Sequence, residues 1–346
     1  EIYTLSLHDA LPIWSALTLT RRAAEVTAVD PSVTDPIKRH WGLGQNIVGN
    51  SYTCAIQGYR GIIWQDLHPN KYSDLDSMPI EAAIYLYDTG SFAEWAGGST
   101  WSGAGSWEAV PTNIISMWKS QSIPSMQGFM IKFRDDTLQL KGVGSPVKLK
   151  IGLTNPFIPI FGGNQQPQRA PQADPSDLVH GFLKIGLTSR RSVSSVHLVE
   201  AEGTTDEFDN GWDGMQLNTG RSSSATLFVP SAYGDLQVST SDNIVGDRFG
   251  IVNNGDTTYR LTVIRHRLDN RGDLYLYDVA TNRYTLLDKD TTVYDFTSEG
   301  SGNVDKRFVI TDRRNADDPN TAVDEVADDL SPTRSEERRV GKECRS

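Results

Sequence analysis

The sequence predicts an all-β protein of two tandem antiparallel β-sandwich domains, of jelly-roll or Ig-like type. Three observations carry this expectation. Short runs alternate apolar and polar residues, turn-forming Gly, Asn, Asp and Ser recur between the runs, and no stretch keeps a helical period beyond about two turns. A period of two puts one strand face in a core and the other in water, as antiparallel sandwiches require.

In chain order the strand-like runs are residues 84–88 (IYLYD), 128–133 (GFMIKF), 147–153 (VKLKIGL), 181–187 (GFLKIGL), 259–266 (YRLTVIRH) and 273–278 (DLYLYD). In VKLKIGL, Val147, Leu149 and Ile151 share one face while Lys148 and Lys150 take the other, so that strand is half buried. Residues 274–277 and 284–287 flank a segment whose Asp and Asn tolerate tight-turn backbone, which predicts a hairpin. The run 259–266, joined through LDNRG, extends it to a meander in this reading. YLYD occurs at 85–88 and again at 275–278, each time with a strand opening Gly-Phe or Arg-Phe further on, an echo that fits two similar modules.

The sandwiches are expected at 41–169, with its linker, and at 170–311. Residues 155–177 carry five prolines and a polar second half without alternation, which reads as a linker or long surface loop. Residues 312–333 are acidic and poor in aromatics, the composition of a disordered linker. The two ends stand apart. Back-translated, residues 1–13 and 334–346 are the two strands of one oligonucleotide that looks like a sequencing-library adapter. Both are expected to be translated adapter, leaving 14–333 as a fragment whose residues 14–40 are an N-terminal extension.

With 33 Lys and Arg against 44 Asp and Glu, the net charge of −11 repels phosphate backbones, and no basic cluster is interleaved with aromatics. Nucleic acid is excluded as a partner on that ground. No run reaches 18 apolar residues, so no membrane-spanning helix is expected. Of the 2 cysteines Cys344 lies in the adapter-like end, and Cys54, beside Ala55 and Ile56, reads as a small buried hydrophobe.

Signals for catalysis are thin. His40, His68, His180, His197 and His266 lack the spacing that lets two imidazoles share a metal, and nucleophile-elbow, P-loop and HExxH patterns are missing. A carboxylate pair formed only in three dimensions stays open. Two stretches could bind. TTDEFDNGWDGMQL gathers hard oxygen ligands around Gly211, with Asp206, Asp209 and Asp213 as a calcium set; its spacing is not that of an EF-hand, and an acidic turn is the alternative. WAGGSTWSGAGSW spaces Trp95, Trp101 and Trp107 six residues apart among small residues, a platform for a sugar or protein unless the indoles fold back over a core.

Three stretches together resemble a known group. QNIVGNSYTCAI (45–56), IPSMQGFMIKF (123–133) and FDNGWDGMQL (208–217) are similar to segments of large secreted and surface-associated β proteins of Gram-negative bacteria that use the type IX secretion system. The final strands from 260 to 311 resemble that group's last sandwich strands. Ser51 replaces a usual Pro, and Trp212 and Met215 stand where Tyr is more usual. The resemblance implies a sandwich followed by a linker, near 321–333, and a missing sorting domain, and it supplies no catalytic residues. The expected function is thus a non-enzymatic, surface-exposed or secreted region of a larger protein, binding a polysaccharide or a host or matrix protein in adhesion. The alternative is the accessory carbohydrate-binding region of a secreted hydrolase whose catalytic domain lies upstream.

Removing residues 1–13 and 334–346 should leave the melting temperature within about 2 °C, since surface appendages seldom change stability by more than about 0.5 kcal/mol. Loss of the cooperative transition on trimming contradicts the adapter reading.

Overall fold

The computed structural model describes residues 16–20, 45–49, 56–57, 80–88, 106–117, 122–134, 148–152 and 175–312, apart from 125, 191, 218–224, 269–270, 289 and 300. Among them the regular structure is strand and short 3-10 turn, with no α-helix. A four-stranded sheet joins β2 (Gln45–Gly49), β4 (Ala83–Asp88), β5 (Ser106–Pro111) and β7 (Gly128–Lys132) in the order β2-β7-β4-β5. Two small pairs accompany it, β1 (Ala16–Thr20) with β8 (Lys148–Gly152) and β3 (Ile56–Gln57) with β6 (Ser122–Ile123).

The rest is one large sheet folded on itself. Its strands are β9 (Val179–Thr188), β10 (Val193–Ala201), β11 (Gly214–Met215), β12 (Thr226–Pro230), β13 (Asp235–Ser241), β14 (Arg248–Asn254), β15 (Thr258–His266), β16 (Leu274–Asp278), β17 (Arg283–Leu287), β18 (Thr291–Thr297) and β19 (Ser301–Thr311). The order is β17-β16-β19-β14-β12-β13-β10-β9-β15-β18, with β11 added on β13. The consecutive strands β17 and β18 are the two ends of that order, so the sheet nearly closes into a sandwich. Every second residue of β9 is buried, and Leu183, Ile185 and Leu187 share one apolar cluster with Leu198, Phe249, Ile251, Leu261, Leu276 and Phe308. Phe249 stacks on Phe308 at 5.0 Å between centroids, and Phe296 meets Phe308 edge-on at 5.2 Å. Burial of side chains this size supplies on the order of 2 kcal/mol each.

All six strand-like runs form strands, and the hairpin pairs Leu274 with Leu287 and Tyr277 with Tyr284. Asn282 takes a φ of 53°, which an Asx side chain tolerates. The meander does not form. β15 pairs with β9 and β18 in one wall, and β16 pairs with β17 and β19 in the other, because the chain crosses between walls after His266. The Arg265 guanidinium fixes that crossing by donating to the carbonyls of Leu268 and Gly272. The two YLYD strands hold equivalent places: β4 lies between β5 and β7, and β16 between β17 and β19, although Phe129 pairs with Leu86 and Phe308 with Asp278, a two-residue difference in register.

Alternation fails in β7. Phe129 and Ile131 are buried as expected, but so are Met130 and Lys132, because the sandwich covers the other face of the small sheet. Ala83, Tyr85, Ala109, Ile114 and Met130 join the same apolar cluster as the sandwich core. Two side-chain amides fasten the contact. Asn210 accepts from the Ala82 amide at 2.6 Å and donates to the Ile80 carbonyl at 3.1 Å; Gln237 accepts from the Ala109 amide at 2.6 Å and donates to the Trp107 carbonyl at 3.1 Å. Each amide thus bonds a carbonyl and an N–H two residues apart, as one residue of a parallel strand does. Lys132 donates to Glu81 at 2.7 Å, both fully enclosed, and Tyr85, which also bonds Glu81, accepts from the Met215 amide at 3.1 Å.

Asn210→Ala and Gln237→Ala should each cost about 2 kcal/mol, because each strands a buried N–H and carbonyl without partners. Urea denaturation reads the loss; changes below about 0.5 kcal/mol in both variants would show that the amides do not hold the two sheets together.

Candidate functional site

Two carboxylates of the acidic motif are bonded into the backbone around them. The Asp209 carboxylate accepts from the Thr205 amide at 2.6 Å, and its carbonyl receives the amides of Trp212 and Asp213 at 3.0 Å, closing a tight turn with Gly211 at a φ of 92°. Asp213 is buried, and its two oxygens accept separately from the amides of Asp209 and Thr240, both at 2.7 Å. Burial pushes the Asp213 carboxyl up, and these two amides pull against that. A Cβ on Gly214 would lie 2.6 Å from that of Ala109, so only glycine lets β11 approach β5 this closely. Gln216 ties the motif onward through the Leu227 carbonyl at 2.8 Å. Asp206 is exposed. Among the described residues no group of three or more His, Cys, Asp or Glu side chains is arranged to hold a metal ion.

Of the tryptophans, Trp107 lies on β5, partly buried against the core cluster and edge-on to Tyr87 at 5.2 Å. Trp95 and Trp101 fall outside the described residues, as does Cys54.

The structure brings together a group that the sequence does not announce. β9 begins, and β10, β13 and β15 end, at one end of the sandwich, as their pairing registers require. There a cavity of about 330 Å³ is lined by His180, Glu200, Asp242, Arg267, Leu268 and Arg271. Glu200 is buried at 2% exposure and bound twice by Arg271, at 2.6 and 2.9 Å. Gly181 makes the site possible: a Cβ there would lie 2.5 Å from the His266 carbonyl oxygen and 2.8 Å from the Arg267 carbonyl carbon, so the crossing segment rests directly on β9. Arg267 holds a φ of 57°, a left-handed conformation unfavourable to a side chain of its kind. The signal that could have found this site is RHRLDNR, residues 265–271, a cluster of cations in an acidic chain.

Electrostatics beside the cleft are tuned by burial. Asp247, whose carboxylate accepts from the Ser241 hydroxyl at 3.2 Å, is pushed from 3.8 to about 7, first by burial and further by Asp206, Glu200 and Asp242. His197 is lowered to about 3 by burial, with Lys184 and His266 adding to the effect, and is therefore neutral. Phe182 stacks on His266 at 4.5 Å and lies 6.3 Å from His197.

These features define a β-sandwich protein with a second sheet clasped to its flank and a mixed-charge cleft at one end. Over 183 residues the chain is 28% identical to the minor fimbrium subunit Mfa5 of Porphyromonas gingivalis, a match covering 50% of this chain and 13% of that protein's length. The likeness is to part of a bacterial fimbrial subunit and is consistent with a surface protein's β domain. No protein-family model and no solved structure matches the sequence. Among the described residues no helix is long and apolar enough to cross a membrane.

Asp247→Asn should stabilise the fold above pH 7 and leave it unchanged near pH 4. Between those values the folded state keeps a proton that the unfolded chain has lost, so this carboxyl makes stability fall as pH rises, and the amide removes that dependence. A gain of about 2 kcal/mol at pH 8 is expected from unfolding curves at the two pH values. An equal gain at both would contradict the assignment.

Proposed function

We propose that the chain is a non-enzymatic region of a larger surface-exposed or secreted bacterial protein, acting in adhesion or polymer binding. The observation that carries the reading is the likeness to the minor fimbrium subunit. The build of the acidic motif is consistent with it: the carboxylates of Asp209 and Asp213 are bonded to backbone amides. Export by a type IX route, with a sorting domain following the region around 321–333, belongs to the same reading. Trp95, Trp101 and Trp107 are its contact residues for polysaccharide or matrix protein.

The test uses antibodies against the whole chain on intact cells of the bacterium that encodes it. Labelling of unbroken cells, removed by external protease, is expected, together with reduced adherence of cells that lack the gene to polysaccharide- or matrix-coated surfaces. Antigen detected only after lysis refutes the surface reading, and unchanged adherence refutes the adhesive one.

A further inference from the structure

We propose that the cleft at the end of the sandwich binds a carboxylate-bearing sugar unit of an acidic polysaccharide, with Arg267 as the residue that receives the carboxylate. The inference deepens the polymer-binding reading and rests on it. The volume of about 330 Å³ lies at the lower end of the range for small-ligand sites and suits one sugar ring.

The charges in the cleft have distinct states. Glu200 and Arg271 neutralise one another, so neither is open to take the charge of a ligand. Arg267 and His180 are exposed, and their side chains make no hydrogen bond or ion pair among the described residues; the same holds for Asp242. A guanidinium and a carboxylate in one cleft, neither bonded within the described fold, ask for a ligand that carries both an anionic group and hydroxyls that donate. A sugar acid offers both. A peptide C-terminus offers the carboxylate but surrounds it with side chains that want apolar walls, and among the described residues Leu268 is the cleft's sole apolar lining residue. A divalent cation is disfavoured by the guanidinium groups and by the lack of a three-ligand group among the described residues.

The backbone supplies an independent argument. The segment carrying Arg267 is held from three sides: by its contact with Gly181, by Arg265 bonding the carbonyls of Leu268 and Gly272, and by Arg271 on Glu200. Within it Arg267 keeps a left-handed φ of 57°, where glycine would be unstrained. Strain of this kind persists where the surroundings impose it, and it collects at ligand sites. Arginine at this place makes no bond within the described fold, so stability does not explain it. Contact with a ligand does, since the planar guanidinium matches a carboxylate with two parallel hydrogen bonds.

The experiment titrates the full chain with a galacturonate trisaccharide, a neutral glucose trisaccharide and a short peptide with a free C-terminus, by calorimetry. The variants are Arg267→Gly and Asp242→Asn, and bead adherence of each chain to a polygalacturonate surface is measured alongside. The acidic trisaccharide should bind at least about tenfold more tightly than the neutral one, a difference of about 1.4 kcal/mol. Arg267→Gly should abolish that preference while its melting temperature holds or rises, and Asp242→Asn should weaken both sugars. Equal binding of the two sugars, an affinity indifferent to Arg267→Gly, or binding of the peptide alone overturns the assignment. Adherence that survives loss of cleft binding leaves the adhesive reading standing, whereas absence of both removes the two together.

Discussion

A buried strand edge must find partners for its N–H and carbonyl groups, and here two side-chain amides supply them. β5 is the last strand of its sheet, and the Gln237 amide bonds its backbone as a neighbouring strand would; Asn210 does the same at residues 80 and 82. An unsatisfied buried backbone group costs about as much as a lost hydrogen bond, so the amides decide whether the small sheet can bury its edge at all. Much of the motif at 208–217 follows from holding Asn210 in place. Gly211 permits the turn, Asp213 fixes its amides, and Gly214 brings β11 against β5.

A second kind of fastening closes the large sheet. β17 and β18 are not laddered to one another, yet Asp278 at the end of β16 accepts two bonds from Arg307 of β19, at 3.0 Å each, and one from the Tyr294 hydroxyl of β18 at 2.9 Å. Burial raises the Asp278 carboxyl, and Arg307 and Tyr294 outweigh it, holding it below its ordinary range. Arg307 also reaches the Thr297 carbonyl at 3.1 Å and lies over the Phe296 ring at 4.4 Å. The seam is therefore joined by side chains where the backbone ladder stops. Buried ion pairs add little stability over apolar packing but penalise alternative arrangements, which suits a sheet whose end strands could otherwise pair elsewhere.

Legibility in the sequence followed distance along the chain. Strands were visible because alternation is local, and the hairpin at 274–287 because its turn residues sit between its strands. The crossing after His266 was not, since it depends on Arg265 reaching two carbonyls and on the absence of a side chain at Gly181, 85 residues earlier by number. Met130 and Lys132 share the face that alternation assigns to solvent, and only a second sheet packed over that face buries them. In the motif the residues were legible and the partners of two of them were not: of the three carboxylates that composition suggested for calcium, Asp209 and Asp213 accept from backbone amides, one of them at Thr240. The cleft was least legible, because Glu200 and Arg271 are separated by 71 residues and pair only when β10 and the crossing segment arrive at one end.

The position of that cleft has a mechanical side. The chain enters the sandwich at Val179, the start of β9, and leaves it at Thr311, which pairs with Tyr275 just past the crossing segment. Both connections thus emerge at the cleft end, while the turns around Ser192, Asn254 and Ser298 form the opposite end and bond to one another there. A pull applied through the two connections would load β9 and β19 from the same side, parting ladder hydrogen bonds one after another instead of shearing them together. A molecule seated in the cleft would bridge the strand ends at which that peeling begins, so occupancy and resistance to force would rise together.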